Sequence, residues 1–139
     1  MQLNPYLNFD GCCEAAFKFY EKVLGGKIEA MMTHANMPPS AGAQTPPGWK
    51  DKIMHVRLVA GDNVLMGSDA PPDHFEKPQG MSVSIQVDDP KEAERIYAAL
   101  ADNGTVRMAI QETFWAVRFG MLVDRFGIPW MINCERPQS

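Results

Sequence analysis

The sequence predicts an α+β fold: two tandem βαβββ modules forming a curved, incomplete mixed β-barrel with the helices outside. Two observations predict it. The hydrophobic pattern switches between a period of 2 and a period of 3.6 in the order β-α-β-β-β, and it does so twice. The halves also match at a shift of 78 residues, Asp10 with Asp88, Glu14 with Glu92, Ala15 with Ala93, Phe19 with Tyr97 and Gly26 with Gly104 (10 + 78 = 88). Farther on the shift shrinks, because the first half has the longer loop, and "HVRL" comes to face "AVRF". One helix covers one face of a sheet and leaves the other in need of a partner. Two such modules side by side enclose a concave, ligand-sized cleft. The chain therefore reads as a single domain, 1–139, with a first module in 1–70 and a second in 80–139.

In the first module "QLNPYLNF" reads as a strand. "CCEAAFKFYEKVL" reads as a helix with Ala16, Phe19, Tyr20 and Val23 on one face, entered through Asp10-Gly11 and stopped by Gly25-Gly26. "KIEAMMTHA" is a second strand, followed by a Pro/Gly-rich stretch from Asn36 to Asp51. "KIMHVRLVAGDNVLMGSD" supplies two strands joined at Gly-Asp-Asn, and "APPDHFEKPQG" is a loop. The second module opens with the strand "MSVSIQV". Its helix, "DPKEAERIYAALADNG", is capped at Asp88 or Asp89, starts at Pro90 and ends at Asn103-Gly104. "TVRMAIQET", "WAVRFGMLVD" and "GIPWMINCE" give three more strands.

Composition bounds the function classes. A chain of 139 residues buries roughly two thirds of its unfolded surface and needs no disulfides to hold a core. Its 45% hydrophobic and 22% charged residues are those of an ordinary globular protein. A net charge of -4 without a Lys/Arg cluster speaks against nucleic acid as a partner, since a binder of phosphates needs a basic stripe. The N-terminus has no basic segment followed by an apolar core, and no run reaches the ~18 apolar residues of a membrane span. A cytoplasmic protein without membrane contact is expected. Cys12, Cys13 and Cys134 have no C-x-x-C spacing, which suits reduced, buried thiols. A place at a helix N-terminus would lower the thiol pKa of Cys12 or Cys13, yet no histidine is assigned as partner to a nucleophile. The signatures of phosphate loops, dinucleotide loops and hydrolase elbows are all missing.

The duplicated element order resembles the vicinal oxygen chelate superfamily, which includes glyoxalase I, bleomycin-resistance proteins, fosfomycin-resistance enzymes and extradiol dioxygenases. More narrowly, "PYLNFDG…EAAFKFYEKVLGG", "HVRLVAGDNVLMGSD" and "TFWAVRFGMLVDRFGIPWMIN" are similar to its PhnB-like branch. The resemblance covers nearly the whole chain, and the run from Thr113 to Asn133 is its most specific part. It implies the fold and a homodimer. The methyltransferase label sometimes attached to this branch has no support in the residues, since no glycine-rich adenosylmethionine loop follows a strand.

The superfamily's metal enzymes hold their ion with His, His and Glu, on the first strand and near the end of each half. Carried over by position, these sites fall at about Tyr6, Leu65 or Met66, Ser82 and Met131. Divalent cations want imidazole, carboxylate or thiolate in a three- or four-point geometry, so no metal and no cofactor is expected. His34, His55 and His74 share no H-x-H, H-x-x-x-H or H-E-x-x-H spacing, although His34 and His55 could approach across adjacent strands.

Strand alternation says what the cleft would hold instead. Val83, Ile85 and Val87 should face the helix and leave Ser82, Ser84 and Gln86 opposite; Leu7 and Phe9 likewise leave Tyr6 and Asn8. Trp115 and Trp130 serve either as aromatic wall or as core, and Trp49, at the exit of the Pro/Gly-rich loop, can fold down as part of a lid. His55 is the candidate for acid-base or ligand-orienting chemistry, because an imidazole titrates near neutrality; a structural hydrogen bond explains it equally well. Arg57 and Arg118 occupy matching places and suit either an anion or plain exposure. Met31, Met32, Met54, Met66, Met108, Met121 and Met131 fall in strands, where thioethers fill a core or adapt to varied ligands.

These residues support three readings. The first is a metal-free small-molecule-binding protein of the bleomycin-resistance type, with Tyr6, Asn8, Trp49, Met66, Ser82, Ser84, Trp115 and Met131 as its ligand contacts. The second is a divergent isomerase, lyase or dioxygenase using His55 with an unconventional metal or none. The third is a scaffold or regulatory dimer without pocket chemistry.

Overall fold

A computed structural model describes residues 1–36 and 47–137. The chain divides into two units, Met1–Glu76 and Lys77–Ser139. The elements of the first are β1 (Tyr6–Phe9), α1 (Cys13–Leu24), β2 (Lys27–Thr33), a 3-10 turn (His34–Asn36), β3 (Ile53–Ala60) and β4 (Asn63–Asp69). The second holds β5 (Val83–Gln86), α2 (Pro90–Ala101), β6 (Thr105–Gln111), β7 (Ala116–Val123) and β8 (Pro129–Glu135). Each unit is a four-stranded mixed sheet with one helix, ordered β1-β4-β3-β2 in the first and β5-β8-β7-β6 in the second. In both, the opening strand runs parallel to the last, and the other two pairings are antiparallel. Neither sheet closes on itself. Among the described residues, two helices and eight strands in two mixed sheets make the fold α+β.

Helix α1 buries Cys13, Ala16, Phe17, Tyr20 and Val23, a spacing of three and four residues that lays one stripe on the sheet. Phe17, not Phe19, fills the core, because it falls on that stripe while Phe19 stands to one side and stays partly exposed. The ring of Phe17 meets Phe9 edge-on at 5.9 Å and Tyr20 at 5.6 Å, which ties β1 to the helix. Gly25, with φ of 70°, ends the helix in the left-handed conformation that a side chain disfavours. Helix α2 buries Ala93, Ile96, Tyr97 and Leu100, and the Asp89 carboxylate accepts the Lys91 N–H at its start.

The opening strands are shorter than the apolar pattern suggests. β1 begins at Tyr6, after Pro5, whose nitrogen has no proton to give a ladder; its carbonyl accepts from Met66 N. β2 stops at Thr33, where the Asn36 side chain takes both the backbone N–H and the hydroxyl of Thr33 and turns the chain into the 3-10 segment. Most of the Asn36 to Asp51 stretch lies outside the described residues.

Two buried aspartates organise the units. In the first, Asp69 accepts the Cys13 N–H and the Ile53 N–H, each at 2.9 Å, and so joins the start of α1 to the start of β3. In the second, Asp124 Oδ1 accepts from Phe126 N and Ile128 N and closes the turn into β8.

Candidate functional site

Glycines identify which sheet face meets each helix. A Cβ on Gly67 would stand 2.7 Å from the Phe17 ring, so Gly67 and its partner Val56 face α1. The alternate residues then share the opposite face: Tyr6 and Asn8 on β1, Met66 and Ser68 on β4, Arg57 on β3. His55 joins them, because the Tyr6 ring lies against its imidazole, centroids 5.8 Å apart and planes inclined by 26°. Tyr6 Oη stands 3.3 Å from His55 Nδ1, and the tautomer decides which of the two donates. Ser68 Oγ donates to Asn8 Oδ1 at 3.4 Å. Arg57 lies 3.8 Å from Glu29 in a solvent-exposed pair of little energetic weight.

The second unit obeys the same logic. A Cβ on Gly120 would stand 2.5 Å from the Tyr97 ring, so Gly120, Ile132 and Ile85 form a row facing α2. The rows to either side face away: Ser84, Met131 and Met121 in one, Gln86, Asn133 and Phe119 in the other. Asn133 Nδ2 donates to Gln86 Oε1 at 2.8 Å, and Gln86 Nε2 donates to Ser84 Oγ at 3.2 Å. Asn133 is only 7% exposed and its Oδ1 receives no hydrogen bond, an omission that costs about 1–3 kcal/mol for a buried acceptor. The Trp115 ring packs edge-on to Phe119 at 5.2 Å and to Phe114 at 4.8 Å. It is 43% exposed and extends this face with an aromatic surface.

The sheet register corrects several correspondences. The row Tyr6, Met66, Arg57 has as its counterpart Ser84, Met131, Met121. Ser84 therefore stands where Tyr6 stands, while Ser82 precedes β5 and pairs with nothing in the sheet. Arg57 is level with Met121 and Val56 with Gly120, so "HVRL" does not face "AVRF". Arg118 belongs to the helix side, where its Nε donates to Glu94 of α2 at 2.8 Å; the two arginines form no common anion site. His34 does not meet His55, whose partner across the ladder is Met32. Both ring nitrogens of His34 are buried without a hydrogen bond, and the ring meets Trp49 edge-on at 6.1 Å. Trp130 is 1% exposed and, two residues from Ile132, lies on the helix side as core and not as wall. None of the seven strand methionines reaches the buried core; all stand half-buried or exposed.

Cys13 and Cys134 are buried thiols, whereas Cys12 is partly exposed. Burial, with the Asp69 carboxylate beside it, pushes the Cys13 thiol well above its ordinary range, and burial raises Cys134 as well. That direction is opposite to the one a helix N-terminus alone would give, because burial outweighs the dipole.

Tyr6, Met66, Ser84 and Met131 offer no carboxylate, thiolate or imidazole, and they do not fit a divalent cation. Among the described residues no group of three or more His, Cys, Asp or Glu side chains is placed to hold one.

The sequence model of the family described as 3-demethylubiquinone-9 3-methyltransferase matches residues 1–133. The chain belongs to that family. It is 37% identical over 145 residues to Protein YjdN of Escherichia coli (strain K12), covering 99% of this chain and 98% of that one. Among solved structures, protein PA1353 from Pseudomonas aeruginosa is 47% identical, with a TM-score of 0.86 and 99% of each chain covered. The PhnB protein from Bacillus cereus, described as a putative 3-demethylubiquinone-9 3-methyltransferase, is 20% identical with a TM-score of 0.79, over 96% of this chain and 99% of that one. The fold extends to a glyoxylase/bleomycin resistance protein/dioxygenase domain from Frankia sp. EAN1pec, 12% identical with a TM-score of 0.68 over 98% of both chains. It is the fold of the vicinal oxygen chelate superfamily.

The sequence pattern places Gln86 opposite the helix but does not mark Asn133, Ser68 or Phe119 as site residues. Asn133 was the legible one: a carboxamide in the otherwise apolar run "PWMINC" is the residue that needs a partner.

Proposed function

We propose that this protein binds a small molecule, without a metal, on the sheet faces turned away from its helices. The observation that carries this reading is the make-up of those faces. In the first unit the paired polar groups Tyr6 with His55 and Asn8 with Ser68 share a face with the half-exposed thioether of Met66, and in the second Asn133 with Gln86 and Ser84 share a face with those of Met121 and Met131 and the ring of Trp115. A surface serving only as core would be apolar throughout, and a catalytic metal face would carry carboxylates or imidazoles. Trp49, close to His34, belongs to the same reading as a lid residue. The net charge of -4 favours a neutral or cationic ligand. The methyltransferase in the family's description is not adopted, because the strand-to-helix connections read Asp10-Gly11-Cys12 and Val87-Asp88-Asp89, neither of them a glycine-rich loop. A thermal-shift screen of neutral, cationic and anionic aromatic compounds tests the proposal; a melting temperature unmoved by every class sinks it.

The Tyr6 and His55 pair favours a second reading, a divergent isomerase, lyase or dioxygenase in which the imidazole exchanges a proton with a ligand. His55→Ala decides, since unchanged turnover of an identified substrate removes it. For assembly we propose a cytoplasmic homodimer with no nucleic-acid or membrane partner; no helix among the described residues is long and apolar enough to cross a membrane. Light scattering at the single-chain mass of 15.5 kDa would contradict the dimer.

A further inference from the structure

The second unit carries one feature that packing leaves unused. Asn133 is more than nine-tenths buried, and its carboxamide is held by a single hydrogen bond, Nδ2 to Gln86 Oε1 at 2.8 Å. Gln86 is fixed in turn by its bond to Ser84 Oγ at 3.2 Å. The three side chains form a relay on adjacent strands, with an unpartnered, solvent-shielded acceptor, Asn133 Oδ1, at its buried end and the hydroxyl of Ser84 at its exposed end. Gln86 and Ser84 are exposed, so the relay is approached from their side. Phe119, level with Asn133 across the ladder, carries the exposed Trp115 ring against it. Arg136 and Glu112 pair at 3.1 Å and compensate each other's charge.

We propose that Asn133 Oδ1, aimed by the Gln86 and Ser84 relay, is the specificity-determining acceptor of this face and takes an N–H donor, amide or amine, from a ligand whose apolar part lies on Trp115. This rests on the reading of the sheet face as a ligand surface. The relay does two things for recognition. With both carboxamides as placed, Gln86 Oε1 takes the Nδ2–H and the unpartnered atom is an oxygen, and a ligand donor removes the cost of leaving that oxygen bare. A ligand of the same shape without an N–H leaves it bare and binds more weakly.

The test compares benzamide with N,N-dimethylbenzamide, which keeps the ring and carbonyl but has no N–H, on the full chain labelled with ¹⁵N. Benzamide is expected to move the side-chain amide signals of Asn133 and Gln86 and the indole signal of Trp115, and to bind about tenfold more tightly than the dimethyl compound, the worth of one hydrogen bond. In Asn133→Ala the ratio should fall to about one. Where that variant does not fold, Gln86→Ala, altered at an exposed position, should lower the ratio by freeing the carboxamide to rotate. Equal binding of both compounds with the Trp115 signal shifted overturns the acceptor role and leaves the ligand face standing. Tighter binding of the dimethyl compound overturns the role too, since the ligand then gains nothing from its N–H groups. Silence of all three signals with either compound overturns both the acceptor and the ligand face.

Discussion

Asp124 holds Trp130 by its indole: Oδ2 accepts the Nε1–H at 2.8 Å, six residues along the chain, while Oδ1 takes the backbone N–H groups of Phe126 and Ile128. One buried carboxylate thus fixes the turn, the entry into β8 and the largest core side chain. The turn Asp124-Arg125-Phe126-Gly127 before β8 is explained by this architecture with no ligand required. Asp124→Ala strands buried donors, each worth about 1–3 kcal/mol. A destabilisation of about 3 kcal/mol, on the order of 10 °C in melting temperature, is expected. Asp124→Asn, which keeps one acceptor oxygen, should lose less. Denaturant melts of the two variants check the order; equal loss would show that the oxygens are not used separately.

Stability should fall in alkali through Cys13. Its folded-state pKa is raised by burial and by the neighbouring Asp69 carboxylate, whereas an unfolded cysteine titrates at about 8.5. The folded form therefore keeps its proton where the unfolded form loses it. This contribution is fully present below about pH 8.5 and declines above it, by up to about 1.4 kcal/mol per pH unit for the one thiol. Cys13→Ala should flatten the slope above pH 8.5 relative to the parent. Urea melts at pH 7.5, 8.5 and 9.5 measure it, and identical slopes in parent and variant would remove Cys13 as the cause. Thiol alkylation of the native protein should reach Cys12, which is partly exposed, before Cys13 and Cys134.

The two units solve one packing problem on different strands. In the first, a glycine on β4 (Gly67) makes room for Phe17; in the second, a glycine on β7 (Gly120) makes room for Tyr97. Their ladder partners are Val56 and Ile132, so bulk and gap have changed places between neighbouring strands. Tyr97 gains a further hold there, since its hydroxyl donates to the Met108 carbonyl at 3.0 Å. Gly120→Ala should cost about 1–3 kcal/mol by overpacking. Tyr97→Leu in the same chain should recover part of that loss, giving a non-additive cycle. Simple additivity of the two changes would mean that the ring moves aside without cost.

Element order, the ends of both helices and the inward face of β5 were legible because they depend on local chemistry: Gly25 and Asp89 at helix termini, and alternation in "VSIQ". Long-range register was not. The match of "HVRL" with "AVRF" is attractive in the string, yet it misaligns the strands by three residues, because the exchange of glycine for a bulky residue between β3, β4, β7 and β8 hides the true rows. Phe19 looked like the partner of Tyr97 for the same reason, while the first unit uses Phe17. Buried acceptors are likewise silent in sequence. Asp69 and Asp124 read as ordinary turn residues until their donors, some of them 56 residues away, are in place.

The Tyr6 and His55 contact separates a binding role from a structural one. Tyr6 is 46% exposed and its ring covers no core, so loss of the hydroxyl in Tyr6→Phe should change stability by no more than about 0.5 kcal/mol. The hydroxyl's effect on the imidazole is specific, because a phenol at 3.3 Å from Nδ1 biases which ring nitrogen carries the proton. Tyr6→Phe should therefore shift the tautomer balance of His55, read from its ¹⁵N imidazole signals, while the melting temperature stays within about 2 °C of the parent. A compound that raises the parent's melting temperature through this face should then raise that of Tyr6→Phe by less. A large drop in stability with an unchanged tautomer balance would make the pair a structural bond and take His55 out of the candidate site.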